Sequence, residues 1–404
     1  MSTDPQTAPR PLPDRPNLRQ LKDQAKDLVK AGVAKSITAA QFQIARLYGF
    51  ASWPKLKAFV ESFGQVGELK QAIDTNDLGR VTNLMTRNRE LHHAPLGYGK
   101  DGPLTWVAEC RVPWEPPSPA RLAMASWMIE HGSDVHQGGD GPLMRAALNA
   151  YRIPMMDLLV SHGADVNALW HGDFPIVFAP CETVDPEALK WLLECGADPN
   201  RHARGGTALD YLIGTYARSA RLGACIDLLV AAGGTTRYNA PAVFDVLSRR
   251  LDRLVEELDA DPTLVHRQFS ELDFGSTGGR RLLLRGATLL HVAAEYGNVD
   301  AAHLLLERGA DVNARAAVDD AGVGGQTPIF HAATQFNDAG LPMAQLLVER
   351  GADLTVRVKL PGHYERPDEV VECTPLGYGL RFVNEPPSGR GSTVAFLRER
   401  GGIE

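Results

Sequence analysis

Residues 286–315 read GATLLHVAAEYGNVDAAHLLLERGADVNAR, and this stretch decides the fold. Thr288 stands directly before an apolar run, where a hydroxyl can accept hydrogen bonds from the free backbone N–H groups at the start of a helix. An Ala-Ala pair follows, and its small side chains let a neighbouring helix approach closely. Residues 304–306 (LLL) form the apolar stripe of a second helix, and Gly309 comes where glycine tolerates the left-handed conformation that ends many helices. The stretch therefore predicts two short helices followed by a turn.

The closing phrase of this stretch recurs along the chain. It reads HGSDV at 131–135, HGADVN at 162–167, CGADPN at 195–200, RGADVN at 308–313 and RGADL at 350–354. Between residues 132 and 233 its glycines are separated by 31, 33 and 37 residues. The aspartates of the phrase are interpreted as turn-forming residues rather than as paired catalytic acids. They are Asp134, Asp165, Asp198, Asp311 and Asp353.

The opening phrase recurs as well, as GQTPIFHAA at 325–333. Thr327 again precedes the apolar run, and Pro328 suits the first turn of a helix. These residues resemble the ankyrin repeat, a unit of about 33 residues with two helices. The resemblance covers roughly residues 67–404 and is strongest over 286–354.

The resemblance implies an all-α fold, an ankyrin-repeat solenoid of about nine helix-turn-helix units with long finger loops. It also implies a set of structural repeat positions, among which the two histidines bond through their ring nitrogens to neighbouring backbone rather than forming a row of ligands. These positions are Thr288, His291, Gly309, Asp311, Thr327, His331, Gly351 and Asp353.

The domain organisation follows from two stretches that resemble each other, 68–91 and 242–265, because both look like a unit that opens an array. We expect two arrays in series, or one continuous solenoid with a degenerate middle unit. The expected segments are a flexible tail at 1–16, an N-terminal helical cap at 17–63, a first ankyrin array at 68–238 and a second at 240–404.

The segment 17–63 does not follow the repeat and predicts three helices. The first covers 18–30, the second begins at Thr38 as its cap and stops at Gly49, and the third runs from Ser52 to about Phe63. The stretch QIARLYGFASWPKLKAFVE within it resembles a leader found in many bacterial ankyrin proteins, which indicates a bacterial protein. As a cap it would cover the open end of the solenoid. Its apolar face would then be Ile44, Leu47, Phe50, Trp53, Leu56 and Phe59.

The alternative for this segment is DNA binding. Ala45 and Gly49 have the spacing of a helix-turn-helix, and Lys55 and Lys57 lie on the following helix. The first 60 residues carry ten Lys/Arg and four Asp/Glu, a net charge of +6, whereas the whole chain has −7, so the rest has −13. The acidic repeats are therefore poor candidates for binding nucleic acid, while 17–63 stays a candidate.

The cysteines and the apolar segments indicate a cytoplasmic protein without a membrane segment. The five cysteines are odd in number and include no CxxC pair, which argues against a disulfide framework and a zinc site. No secretory signal and no apolar run of membrane-spanning length occurs. The sequence carries none of the common nucleotide-binding or hydrolase motifs, so we expect no metal, no cofactor and no enzyme.

Three long insertions interrupt the repeats, at 267–285, 314–324 and 355–373, and long loops are often functional. We therefore expect a non-enzymatic scaffold that binds a protein partner through the concave ankyrin surface and the finger loops. The alternatives are the DNA-associated regulator and an enzyme with a site at an insertion. Two loop tryptophans and four residues of the last insertion are the expected partner contacts. They are Trp114, Trp170, Lys359, His363, Tyr364 and Arg366.

Overall fold

The computed structural model describes residues 10, 12–13, 16–109, 116–276, 280–363, 365–366, 368–383 and 391–404, without the side chains of 61–63. Its contacts divide the chain into two compact units. The first comprises Met1–Ala146 with Tyr151–Asp165, and the second comprises Ala147–Ala150 with Val166–Glu404. The division near residues 238–240 stays a prediction.

The first unit consists of α-helices and short 3₁₀ turns in its described residues. The helices are α1 Leu18–Lys30, α2 Ile37–Leu47, α3 Trp53–Asp74, α4 Leu78–Arg87, α5 Pro103–Ala108, α6 Pro119–Glu130, α7 Gln137–Ala146 and α8 Ile153–Ser161. From α3 onward the helices are arranged in pairs, with α5 packed against α7 and α4 against α6.

The N-terminal helices α1–α3 enclose a small core of their own, with Leu21, Ala25, Ile44 and Leu56 buried in it. The predicted apolar face is only partly covered, because Leu47 and Phe59 are 48% and 41% exposed.

Two predicted helix bounds in this segment were wrong. The cap of α2 is Ser36, whose hydroxyl accepts from the backbone N–H of Ala39, and not Thr38. The third helix does not end near Phe63, because its apolar spacing continues through Leu69 to Ile73, both fully buried.

The second unit contains the remaining helices and two antiparallel hairpins. The helices are α9 Phe178–Thr183, α10 Pro186–Glu194, α11 Ala208–Gly214, α12 Leu222–Ala231, α13 Pro241–Leu247, α14 Leu251–Ala260, α15 Leu289–Glu295, α16 Val299–Glu307, α17 Pro328–Ala333, α18 Leu341–Glu349, α19 Pro375–Phe382 and α20 Gly391–Glu399. The strands are β1 Leu169–Trp170 paired with β2 Phe174–Pro175, and β3 Val358–Pro361 paired with β4 Val370–Cys373.

The helix pairs of this unit stack in two layers. The first helices α13, α15, α17 and α19 pack in that order, and the second helices α14, α16, α18 and α20 form a parallel series behind them. Between the layers lie fully buried alanines and leucines, such as Ala293 and Leu305. The helical fold with stacked pairs and projecting fingers confirms the predicted class. The hairpins add short strands to an architecture expected to be all-α.

The turns after the second helices are linked by asparagine side chains. Asn313 donates from Nδ2 to the carbonyl of Gly351 at 3.0 Å, and its Oδ1 accepts from the N–H of Asp353 at 2.8 Å. Asn167 and Asn200 make the same pair of bonds to the next turn along the chain. Three turns are thereby each hydrogen-bonded to the next turn through one asparagine side chain, and we call these bonds the asparagine links.

The candidate partner-binding surface

The three insertions lie side by side in the second unit, and we call them the finger layer: 267–285, 314–324 and 355–373. The N–H of Ala317 in the middle finger donates to the carbonyl of Arg285 in the first at 3.2 Å. The N–H of Gly324 in the middle finger donates to the carbonyl of Lys359 in the third at 2.8 Å. The first and third fingers also contact each other directly, through an antiparallel bridge between Arg280 and His363. The fingers therefore form one connected layer rather than three independent loops.

The finger layer encloses a cleft of about 390 Å³ that is lined by all three fingers. Leu282 and Leu360 are buried at its base. Leu283 and Val318, at its rim, are 37% and 57% exposed. Gln326 closes one side, and its Nε2 donates to the carbonyl of Leu283 at 2.7 Å. The cleft thus combines a hydrogen-bonded backbone with apolar side chains open to solvent.

Charged side chains of both signs surround this cleft. Arg281 and Arg285 are exposed on the first finger, and Asp319 and Asp320 are exposed on the middle finger. The carboxylate of Asp319 accepts from the N–H groups of two residues in its own loop, Ala321 and Val323, at 2.9 and 2.8 Å. The two walls of the cleft therefore differ in charge, and one of the two carboxylates is occupied by its own turn.

A buried ion cluster anchors the first finger to the helices. Arg280 donates to both carboxylate oxygens of Glu295, at 2.9 and 2.8 Å, and Arg218 donates to Glu295 Oε1 at 3.0 and 2.8 Å. His331 Nδ1 lies 2.7 Å from Glu295 Oε2. Glu295 and His331 are fully buried, and Arg280 is 1% exposed. Burial by itself raises the pKa of Glu295, but Arg280, Arg218 and His331 outweigh it and lower that pKa to about 2. The carboxylate is therefore charged and binds the first finger, α15 and α17 together.

The two repeat histidines have different partners. His291 Nδ1 accepts from the backbone N–H of Thr288 at 3.1 Å, and its Nε2 lies 3.0 Å from the carbonyl of Gln326, so both nitrogens contact backbone. Burial, followed by the neighbouring His331, lowers the pKa of His291 to about 3.

For His331 the prediction that its ring nitrogens bond to the backbone was wrong. Its Nδ1 donates to the carboxylate of Glu295, and its buried Nε2 makes no hydrogen bond. Burial lowers the pKa of His331 although Glu295 raises it, so the ring is neutral. The hydroxyl of Thr327 at the start of α17 also lacks a hydrogen bond, so the expected Thr327 cap is not formed. The spacing differs from that of the other repeat, since His331 is four residues after Thr327 whereas His291 is three residues after Thr288.

The other repeat positions have the geometry of turns. Gly309 and Gly351 follow α16 and α18 with φ of +90°, a conformation that disfavours residues with a side chain. Asp311 Oδ1 accepts from the N–H of Asn313 at 2.9 Å, and Asp353 Oδ1 from the N–H of Thr355 at 2.8 Å. Each aspartate thus bonds to the backbone two residues further on.

The structure places only part of the expected partner contacts on the finger layer. Trp114 and Tyr364 lie outside the described residues. Trp170 is half-buried in β1, with its ring 5.9 Å from that of Phe174, and is not in the finger layer. These residues are therefore not brought together with the third finger.

Three expected contacts do belong to the third finger. Lys359 is exposed on β3 opposite Glu372, while His363 is half-buried. Arg366 is exposed and lies 3.4 Å from Glu369, between Nη1 and Oε1.

Sequence reasoning missed the residues that shape the cleft, namely Leu283, Arg285 and Val318. A signal for two of them was present in the run RRLLLR at 280–285. Read as an extended segment, it places alternate residues on opposite faces.

The described part of the chain contains no group of three or more His, Cys, Asp and Glu residues arranged to hold a metal ion. In the same residues, no helix combines the length and the apolar character needed to cross a membrane.

Comparison with known proteins identifies the repeat family in one part of the second unit. Residues 255–358 match the family model for ankyrin repeats, in three copies. The chain contains ankyrin repeats. The matched ankyrin segment includes the first two fingers and all of the ion cluster except Arg218. Among solved structures, the crystal structure of the human ASB11 ankyrin repeat domain is similar, with 20% identity over 75% of this chain and 99% of that chain and a TM-score of 0.33. No curated protein matches the chain significantly.

Proposed function

We propose that this chain is a non-enzymatic scaffold that binds a partner protein through its ankyrin surface, with the finger layer as the main contact. Repeat proteins of this kind use extended surfaces for binding. The observation that carries the proposal is the exposure of Leu283 and Val318 at a cleft held by three connected fingers. Exposed apolar side chains within a polar rim are typical of an interaction site.

The hydrogen bonds that connect the three fingers support this role. The backbone of the finger layer is connected across all three fingers, and Arg280 and Glu295 fix the first finger to α15. A surface that is already ordered loses little conformational entropy when a partner binds. The proposed partner therefore meets a preformed site.

The ion cluster supports a structural role rather than a catalytic one. The carboxylate of Glu295 has no exposed surface and accepts hydrogen bonds from Arg218, Arg280 and His331. Its oxygens are engaged by these groups, so a substrate would have to displace one of them.

We also propose that residues 17–63 act as a cap and that the protein resides in the cytoplasm. The helix α3 belongs both to the N-terminal core, through Leu56, and to the first helix pair, where it packs against α4 and α5. Four described cysteines are free thiols, a state that persists in a reducing compartment.

The experiment that tests the proposed contact uses point variants, because deleting a whole finger would remove hydrogen bonds from its neighbours. A tagged wild-type chain is used to capture partners from host cells, and capture is repeated with Leu283→Asp and Val318→Asp. The matched control is Val230→Asp, since Val230 is 54% exposed on α12, outside the finger layer. We expect a partner that is lost with both finger variants and retained by the control. Equal retention by all three variants would contradict the finger layer as the contact.

A further inference from the structure

We infer that strand β4, at the outer edge of the third finger, pairs with an extended segment of the partner, which adds one strand to the β3–β4 hairpin. This inference rests on the proposed function and names the way in which the finger layer contacts its partner.

The backbone groups of β4 point alternately toward β3 and away from it. The N–H of Gly362 donates to the carbonyl of Glu369 at 2.8 Å, so these two residues are a hydrogen-bonded pair of the hairpin. Such pairs recur at every second residue of an antiparallel ladder. The backbone groups of Val371 therefore face β3, whereas the N–H and C=O groups of Val370 and Glu372 point to the other side.

This outer side of β4 has no hydrogen-bonded neighbour in the part of the chain that the structure describes. The outward N–H and C=O groups of Val370 and Glu372 make no hydrogen bond with any described residue. The opposite edge of the hairpin is filled, because the carbonyl of Lys359 accepts from the middle finger and that of Pro361 accepts from the hydroxyl of Tyr378 at 3.1 Å. A sheet edge with unpaired backbone groups is a template for a further strand, and strand addition is a common mode of peptide recognition.

The side chain of Val370 continues the apolar surface of the cleft as far as this edge. Val370 is 50% exposed and pairs in the hairpin with Pro361, which lines the cleft. Side chains of paired residues lie next to each other on the same face of a sheet. A residue of the added strand opposite Val370 would therefore lie beside an apolar side chain, so we expect an apolar residue at that position.

Net charge does not select the ligand at this edge. Residues 357–381 carry four Lys/Arg and four Asp/Glu side chains, so the charges around the hairpin balance. The structure therefore assigns recognition to backbone hydrogen bonds and to the apolar contact at Val370.

A second copy of this chain fits the edge less well than a different protein does. In an antiparallel pair the outward residues of the two strands lie opposite each other. If Val370 lay opposite itself, Glu372 would lie opposite Asp368 of the other copy, and if Glu372 lay opposite itself, two carboxylates would again meet. Like charges directly opposite are destabilising. If Val370 lay opposite Glu372, the exposed apolar side chain would face a carboxylate. The segment that fits has an apolar residue opposite Val370 and no acidic residue opposite Glu372.

The experiment starts with a selection of random 12-residue displayed peptides on the full-length wild-type chain. The affinity of the enriched peptides is then measured with Glu372→Pro, which removes one outward N–H and places the proline ring against the added strand but keeps the bonds to β3. We expect a loss of about tenfold or more. The matched control is Glu372→Thr, which removes the same carboxylate but keeps the N–H, and it should bind within about threefold of the wild type.

Two further measurements use the wild-type chain, so they stay decisive if circular dichroism shows that Glu372→Pro does not fold. In the first, synthetic copies of an enriched peptide carry one N-methyl group each. Methylation should weaken binding at every second residue only, because alternate N–H groups of the peptide face β4. In the second, the bound peptide should slow hydrogen–deuterium exchange in segment 368–374.

The inference would be overturned by unchanged affinity with a folded Glu372→Pro, by equal effects of methylation at neighbouring residues, by unchanged exchange in 368–374, or by the enrichment of no peptide. The capture experiment separates this failure from that of the proposed function. If the captured partner is lost with Leu283→Asp and Val318→Asp but retained by Glu372→Pro, the finger layer stands as the contact and only strand addition fails.

Discussion

Arg280 and Glu295 form a buried ion pair in which one guanidinium nitrogen, Nη2, donates to both oxygens of the carboxylate, at 2.9 and 2.8 Å. Arg280 belongs to the first finger, and Glu295 is the last residue of α15. The pair therefore connects a long insertion to the helices of the repeat, and its loss should affect both.

Replacing Glu295 by Gln should lower the free energy of unfolding by about 3–5 kcal/mol, because it leaves buried guanidinium groups without a counter-charge. Urea denaturation at pH 7.5 measures this change. The matched control is Glu307→Gln, an exposed residue at the end of α16, which should change stability by less than about 0.5 kcal/mol. Similar losses in the two variants would contradict a stabilising role for the cluster.

The dependence of stability on pH gives a second test of Glu295. Its pKa in the folded chain is about 2, below the ordinary value of 4.5, so the unfolded chain binds more protons between these values. The contribution of Glu295 is therefore complete above pH 5 and is lost as the pH falls toward 2. The wild type should lose stability more steeply than Glu295→Gln between pH 5 and pH 3.

Because of His291, the protein should be less stable in mildly acidic solution than at neutral pH. Its pKa in the folded chain is about 3, against an ordinary value of 6.5, so the unfolded chain takes up a proton that the folded chain does not. Stability is therefore greatest above pH 6.5 and falls below it, by about 2 kcal/mol between pH 7 and pH 5 for this residue. Urea denaturation at the two values should show a smaller loss for His291→Gln than for the wild type. An equal loss would mean that the histidine is protonated in the fold.

Removing the hydrogen bonds of an asparagine link one after the other should lower the stability of the fold in steps. Asn313→Ala removes a donor and an acceptor that join two turns, and it should cost about 1–2 kcal/mol. Asn313→Asp keeps the acceptor for the N–H of Asp353 but loses the donor to Gly351, so its cost should be intermediate. Thermal unfolding of the three proteins in parallel measures the order, and a reversed order would contradict the assigned bonds.

A side chain at Gly340 should destabilise the fold through a steric clash, whereas one at Gly351 should destabilise it through the backbone conformation. A Cβ at Gly340 would lie 1.9 Å from the carbonyl oxygen of Ala332, so Gly340→Ala must displace α18 from α17. At Gly351 a Cβ has open space, and alanine would meet only the cost of φ at +90°, about 1–2 kcal/mol. Urea denaturation should therefore show a larger loss for Gly340→Ala. Equal losses would indicate that the two helices move apart freely.

The helix pairs of 286–354 could be predicted because their signals are local. Thr288 stands before an apolar run, Gly309 stands after one, and both signals recur one repeat later. The predicted end of α3 near Phe63 was wrong. Leu69 and Ile73 are buried further along the chain, and the helix continues through both.

The ion cluster could not be predicted because its members are distant in sequence. Arg218 and Glu295 are 77 residues apart, and His331 and Glu295 are 36 apart. A single glutamate in HVAAEYG has nothing in its neighbours that distinguishes it from a surface residue. The same holds for the cleft, since Leu283 and Val318 line it together only because separate insertions lie side by side.

The connected fingers have a consequence for engineering. A third finger transplanted alone into another repeat protein would leave the carbonyl of Lys359 without the N–H of Gly324, and a first finger transplanted alone would carry Arg280 away from Glu295. The proposed binding surface can therefore be transferred to another protein only as a unit that includes all three insertions and the two helix pairs that support them.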